Sequence, residues 1–387
     1  HAMYKTTDGG ASWQVAHQGL TAVVPEQMAT VPAEPGTLYA VTHVGPLKGT
    51  QGGAVWQSLS VPGGDASFVA TDPFSRERVY VVGGDVGMGS DVGIHVSEDG
   101  GQTWPITSWL QEPSQYDAYA HLDPLVRPDP SQPGVLLAGL RHAVIEPGGA
   151  EAGSLYRSTD AGLSWTEIDV GQPISPVQDI AFDTLTPTVV YMATGSEVHH
   201  AGGLYRSADG GDTWERIDDP ALARHPVECI AVEPDAPHTV VLRTGWPDMG
   251  IYVSDQQGAV GSWTKAAPAG GWGELLFTHD SASTLYAATS YGLFRSTDAG
   301  HSWTRASGEL GQVPIYSLAT VTDTDRVFLY AGTTGGRVDE TASQAVDRPT
   351  LEATAAGKIV NAGIYRYTTR RVTKVYLPLV LRSRESQ

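Results

Sequence analysis

Cysteine and asparagine are almost missing: Cys229 and Asn361 are the sole examples in 387 residues. A lone cysteine excludes an internal disulfide and leaves the redox compartment unread from cysteine usage. Scarcity of asparagine, a thermolabile residue, fits a heat-adapted source and fits the base composition of the gene equally well. Cations are short as well. Lys and Arg total 24 against 43 Asp and Glu, a formal charge of −19 with no basic run, which argues against nucleic acid as a partner. The longest apolar run, Val375 to Leu381, is far too short to cross a bilayer, so no transmembrane segment is expected. The opening His1-Ala2-Met3 reads as a trimmed terminus or tag remnant, and the expectation is an extracellular protein, secreted or at a bacterial-type cell surface, whose signal peptide has been removed.

Chemical signatures are also absent. His199-His200 with Glu197, and the isolated His43 and His121, lack the spacing of an HExxH helix or a Cys/His set, so no metal is expected. No Gly-x-Ser-x-Gly elbow and no glycine-rich phosphate loop opening a helix occur, and no cofactor is expected.

What the chain does have is glycine (45), proline (25) and a repeated phrase, Ser/Thr-x-Asp-x-Gly-x-Ser/Thr-Trp. It runs from Thr6 to Trp13, Ser97 to Trp104, Ser158 to Trp165, Ser207 to Trp214 and Ser296 to Trp303, with a degenerate copy from Ser254 to Trp263. The chemistry is that of a turn: the Asp accepts backbone N–H groups, the Gly permits positive φ, the hydroxyls tie the loop, and the Trp packs beneath it. Asp8, Asp99, Asp160, Asp209 and Asp298, with Trp13, Trp104, Trp165, Trp214 and Trp303, therefore read as fasteners rather than catalysts. Short apolar strands surround each turn, as in Val177 to Phe182, Val189 to Ala193 and Gly203 to Ser207, giving four antiparallel strands (a to d) at intervals of roughly 40 to 60 residues. First strands fall near Met28, Phe68, Tyr119, Ile180, Ile230, Leu275 and Leu318. The expected fold is an all-β propeller of seven four-stranded blades, with eight as the alternative. Residues 1–381 would form it, 382–387 being a tail. Within it, 1–19 supply a c–d hairpin that closes the ring, 333–362 form a long loop, and 372–381 add an outer strand.

These turns, and the Gly-Leu-Tyr-Arg-Ser-x-Asp phrase at 203–209 with its near copy at 292–298, resemble the Asp-box (BNR-repeat) propellers. That superfamily includes sialidases, family 74 xyloglucanases, sortilin-type receptors and photosystem II assembly/stability factors. The resemblance implies the fold and no single activity. It also implies that sites lie on the face opposite the boxes, where the d–a and b–c connections run. The segments 43–53, 84–93, 141–153, 195–202 and 333–362 read as elaborated loops on that face.

Two groups of residues on that face are candidates. Glu26, Asp123, Gln178/Asp179, Glu228 and Glu274 align at the starts of the inner strands, as a carboxylate ring that binds a cation, supplies an acid/base pair, or is simply a wet channel mouth. Trp246, Trp272, Tyr291 and Asp248 form a candidate ligand site, with flat aromatic faces beside carboxylates suited to sugar rings. For an enzyme the weak catalytic candidates are Asp91, Glu228 and Glu274. Asp91 lies in Ser90-Asp91-Val92-Gly93-Ile94-His95, similar to a xyloglucanase phrase whose Asp is catalytic, although the second Gly is missing and that family uses two propellers. A sialidase would need an Arg-Ile-Pro segment and an arginine triad; the first is absent. The expectation is a non-catalytic module binding a protein or carbohydrate partner, the alternative being a glycoside hydrolase.

Overall fold

The computed structural model describes residues 4–5, 14–15, 25–64, 66–83, 93–110, 124–142, 152–196, 201–222, 225–234, 239–246, 249–268, 273–278, 283–306, 313–323, 326–333 and 363–369. They form an all-β propeller. Six blades are four-stranded antiparallel meanders. Blade one takes Pro25–Thr30, Leu38–Thr42, Gly45–Thr50 and Val55–Ser58 as strands a to d. Blades two to six span residues 66–109, 125–168, 177–217, 227–268 and 275–305. A further, five-stranded sheet closes the circle, its inner strand packing on those of blades six and one. It carries Ile315–Asp323, Arg326–Thr333 and Gly363–Thr369, then Tyr4–Lys5 and Gln14–Val15.

Strand b of a blade is sandwiched between neighbouring blades, so it reads as an unbroken apolar run rather than an alternation. Every residue of Leu38–Thr42, Val79–Gly83, Val190–Ser196, Val240–Thr244 and Leu285–Thr289 is buried. The core therefore lies between blades: Tyr191 and Ala193 of blade four meet Val227, Leu242 and Tyr252 of blade five.

Among the described residues the repeated turns join strands c and d of blades two to six, all at the same end of the sheets. Ser97 Oγ donates to Asp99 Oδ1 (2.8 Å) and accepts from Gly101 N–H (2.8 Å), while Thr103 gives its N–H to Oδ1 and its hydroxyl to Oδ2 (2.6 Å). The same set recurs around Asp160, Asp209 and Asp298. The hydroxyl of Thr103, then its N–H and the Ser97 hydroxyl, hold the Asp99 carboxyl down at about 2. The turn glycines sit at positive φ, +96° at both Gly211 and Gly300, and each is pressed onto strand b of the preceding blade. A Cβ at Gly211 would lie 3.1 Å from Leu137, and one at Gly300 3.2 Å from Val241.

The structure corrects several expectations. Six blades, not seven or eight, have four strands, and the remaining sheet has five. Its outer edge is taken by the N-terminal hairpin, which joins in parallel, Tyr4 opposite Tyr365; the expected strand at 372–381 lies outside the described residues. The third inner strand is Leu125–Pro128 rather than a segment near Tyr119, which also lies outside them. Residues 43–53 are no elaborated loop: they hold strand c of blade one between a two-residue turn and a tight c–d turn at 51–54. That turn has Gly49, Gln51 and Val55 in place of the Ser/Thr, Asp and Ser/Thr, yet keeps the Gly and the Trp. Trp56 Nε1 donates to Gly53 O (2.8 Å), as Trp214 does to Gly211 O and Trp303 to Gly300 O.

Two outcomes follow from the turns. Gly211→Ala and Gly300→Ala should each cost about 1–3 kcal/mol in urea unfolding, since alanine must hold a left-handed conformation against a packed neighbour. Gly171→Ala, at φ +79° with open space around it, should cost about 1 kcal/mol. Because the Asp99 and Asp209 carboxyls titrate at about 2 when folded, their contribution is present above about pH 4 and lost as pH falls through 2. Circular dichroism should show the transition in that window, and an Asp99→Asn/Asp209→Asn variant should lose part of its pH dependence.

Candidate functional site

At the end of the sheets opposite the repeated turns, inner strands begin and b–c connections cross. In blades one, four, five and six, strand b carries at or near this end a Thr that fixes the start of strand c. Thr42, Thr194, Thr244 and Thr289 donate to Gly45 O (2.6 Å), Gly203 O (3.2 Å), Gly250 O (3.3 Å) and Gly292 O (2.7 Å). In these four blades the base is the same while the chain between the Thr and the pinned Gly ranges from His43-Val44 to residues 195–202.

Inner strands share a bulge near their start, between Pro25 and Gln27, Ala66 and Phe68, Val177 and Asp179, Val227 and Cys229, and Ile315 and Ser317. The residue after the bulge turns toward the next blade and bonds to it. Gln27 Oε1 accepts Val69 N–H (2.9 Å), Asp179 Oδ2 accepts Ile230 N–H (3.0 Å), and Cys229 Sγ accepts Leu275 N–H (3.3 Å). Glu274 Oε2 accepts Leu318 N–H (2.7 Å), and the Ser317 hydroxyl donates to Pro25 O (3.2 Å). Blades two to four are joined by Arg127, which stacks on Phe68 (4.9 Å to the ring centre) and donates to Asp179 Oδ1 (2.8 Å) and Ile180 O (3.2 Å).

The expected carboxylate ring thus resolves into groups with different tasks. Glu26 is exposed, and Asp123 lies outside the described residues. The Gln178 amide donates to Gly195 O (2.7 Å) within its own blade. Asp179 is a buried clasp neutralised by Arg127. Glu228 lies against Gly245 and is ion-paired with Arg243, whose Nε donates to Gly273 O (3.1 Å) of the next blade. Glu274 has no guanidinium partner among the described ion pairs. Burial pushes its carboxyl up to about 7, with the Leu318 N–H and Arg127 pulling down and Asp179 pushing up. Burial likewise raises the Cys229 thiol, which keeps it a neutral acceptor for the Leu275 N–H. Among the described residues no group of three or more His, Cys, Asp or Glu is placed to hold a metal ion.

Of the ligand-site candidates, Trp246 and Tyr291 are described, and both are exposed, 56% and 48%. Trp272 and Asp248 lie outside the described residues, as do the catalytic candidate Asp91 and the first-repeat residues Asp8 and Trp13. In the phrase that follows Asp91, His95 is a buried strand residue with Nδ1 2.9 Å from Thr107 Oγ1, and burial lowers its pKa. Sequence reasoning passed over Arg127, Tyr316 and Trp109. Arg127 belongs to the inner strand that was misplaced. Tyr316 is the bulged residue of the closing sheet's inner strand, equivalent to Glu228, and Trp109 ends strand d of blade two. The four exposed Trp and Tyr side chains among the described residues, Trp109, Trp246, Tyr291 and Tyr316, all lie at this end.

If the carboxylates are clasps, Asp179→Ala should cost about 2–4 kcal/mol by stranding Arg127 and the Ile230 N–H. Glu26→Ala should change stability by less than about 0.5 kcal/mol. Equal, small losses in urea unfolding would restore the wet-channel view.

Comparison with known proteins places the architecture. No family model and no curated protein matches the sequence. Among solved structures, a GH74 xyloglucanase from Xanthomonas campestris superposes with TM-score 0.59 and 19% identity, over 84% of this chain and 53% of that one. This chain therefore spans about half the length of that enzyme. YCF48 bound to D1 peptide superposes with TM-score 0.55 and 16% identity, over 81% of this chain and 91% of that one. The extracellular domain of a putative one-component system from B. thetaiotaomicron gives TM-score 0.53 and 12% identity, over 86% and 38%. At these identities the likeness is one of fold, and the chain is a β-propeller of the architecture seen in GH74 xyloglucanases and YCF48.

Proposed function

We propose that this chain is a non-catalytic Asp-box propeller that binds or assembles a protein or glycan partner through the face opposite the repeated turns. One observation carries the reading: that face exposes Trp109, Trp246, Tyr291 and Tyr316, while of its described inner carboxylates Asp179, Glu228 and Glu274 are engaged within the fold and Glu26 alone stands exposed. Exposed aromatic side chains offer large contact area at low entropic cost, the composition of binding hot spots. Thr-anchored bases in blades one, four, five and six, under connections of different length, add a surface that varies without disturbing the ring. The likeness to YCF48 over nearly that protein's whole length supports a binding role, since YCF48 carries D1 peptide.

A glycoside hydrolase is the competing reading, and Glu274 is what favours it. A carboxyl titrating at about 7 is matched to general-acid work, and such enzymes need a second carboxyl roughly 5–10 Å away. Screening the protein on glycan and peptide arrays, alongside polysaccharide hydrolysis, tests both. The expected result is binding without turnover, weakened at least about tenfold in Trp246→Ala/Tyr291→Ala. Turnover abolished by Glu274→Gln would replace the binding reading with the enzymatic one.

A further inference from the structure

The inner carboxylates are not equally protected. Asp179 faces the Arg127 guanidinium, and Glu228 faces that of Arg243. Glu274 is held across the seam between blade six and the closing sheet by one backbone amide, Leu318 N–H at 2.7 Å. The charged and titratable groups around it come from three other blades. Arg127 of blade three and Asp179 of blade four act on it with opposite sign, and the neutral Cys229 of blade five lies within electrostatic reach. Arg243 of blade five bonds to the carbonyl of the adjacent Gly273 but is itself neutralised by Glu228. The inner strand of the closing sheet offers the Leu318 amide and the Ser317 hydroxyl, which is turned toward Pro25 O. Ionising Glu274 therefore places a charge in a part-buried seam where Arg127, the cation that acts on it, is already committed to Asp179.

We propose that Glu274 is a protonation switch in the seam between blade six and the closing sheet, which holds firmly when the carboxyl is neutral and loosens when it ionises. The direction follows from linkage. The folded-state pKa is raised from 4.5 to about 7, so the group's contribution is complete below about pH 4.5 and is lost as pH rises through 7. The neutral acid keeps a carbonyl oxygen for the Leu318 amide, so protonation does not forfeit the clasp. The seam matters because the closing sheet is where strands from both ends of the sequence are joined.

The full-length protein and Glu274→Gln, whose amide oxygen accepts the same N–H without titrating, are compared between pH 5 and 8.5. Near pH 5 their unfolding constants should nearly coincide. At pH 8.5 the wild type should be more easily unfolded, by on the order of 10- to 100-fold. Exchange of the Leu318 amide, corrected for its intrinsic rate at each pH, should quicken over the same interval in the wild type alone. A difference that is constant across pH, or that opens toward acid, would overturn the proposal. Should the variant not fold, carbon-13 titration of the wild-type Glu274 carboxyl decides: a midpoint near 7 supports the switch, and one near 4.5 removes it.

Discussion

Adjacent blades share no β-ladder, so everything that makes seven sheets one object must come from side chains crossing the seams. Two sets do so. At one end, Gly211 and Gly300 are seated tightly on Leu137 and Val241 of strand b in the blade before, while Gly53, Gly162 and Gly258 lie in ordinary contact with Tyr330, Tyr80 and Tyr191 of theirs. At the other end, the residue after the inner bulge reaches sideways for an amide of the next blade. Between these belts the interior is apolar and non-directional, so the belts supply the register that packing alone does not.

The belts differ in how visible they are in sequence. Turns such as Ser207 to Trp214 declare themselves because their hydrogen bonds close within eight residues, fixing residue types at fixed offsets. The turn before Trp56 escaped because Gly49, Gln51 and Val55 stand where the pattern has its two hydroxyl residues and its Asp, leaving only backbone geometry and the indole bond. Clasp residues are Gln27, Asp179, Cys229, Glu274 and Ser317, a set with no common chemistry beyond reaching a neighbour. Their partners are distant in sequence, so alignment could place the carboxylates but not assign their work. Arg127 shows the cost: it bridges three blades, and nothing near it in sequence says so.

The same division separates scaffold from function. One end of the sheets is uniform because each turn must fit the blade before it. The other end is less regular: in blades one, four, five and six a Thr pins strand c, and the chain between that Thr and the strand differs in length and residue type. Trp246 and Tyr291 stand just past two such pins. Enzymes and peptide-binding proteins share this architecture, as expected if the ring specifies a platform and leaves its upper surface open.

The parallel docking of Tyr4–Lys5 onto Gly363–Thr369 also imposes a schedule. During synthesis the hairpin partner of residues 4–15 emerges only after all six four-stranded blades have left the ribosome. Those blades are meanders and can form in order as they appear, each offering strand b and an inner amide to the next. The segment made first is thus fastened last, and until then the outer edge of the closing sheet stays unpaired. A chain interrupted before residue 363 keeps Ile315–Asp323 and Arg326–Thr333 to lie against blades six and one, but lacks the strand onto which the N-terminal hairpin docks.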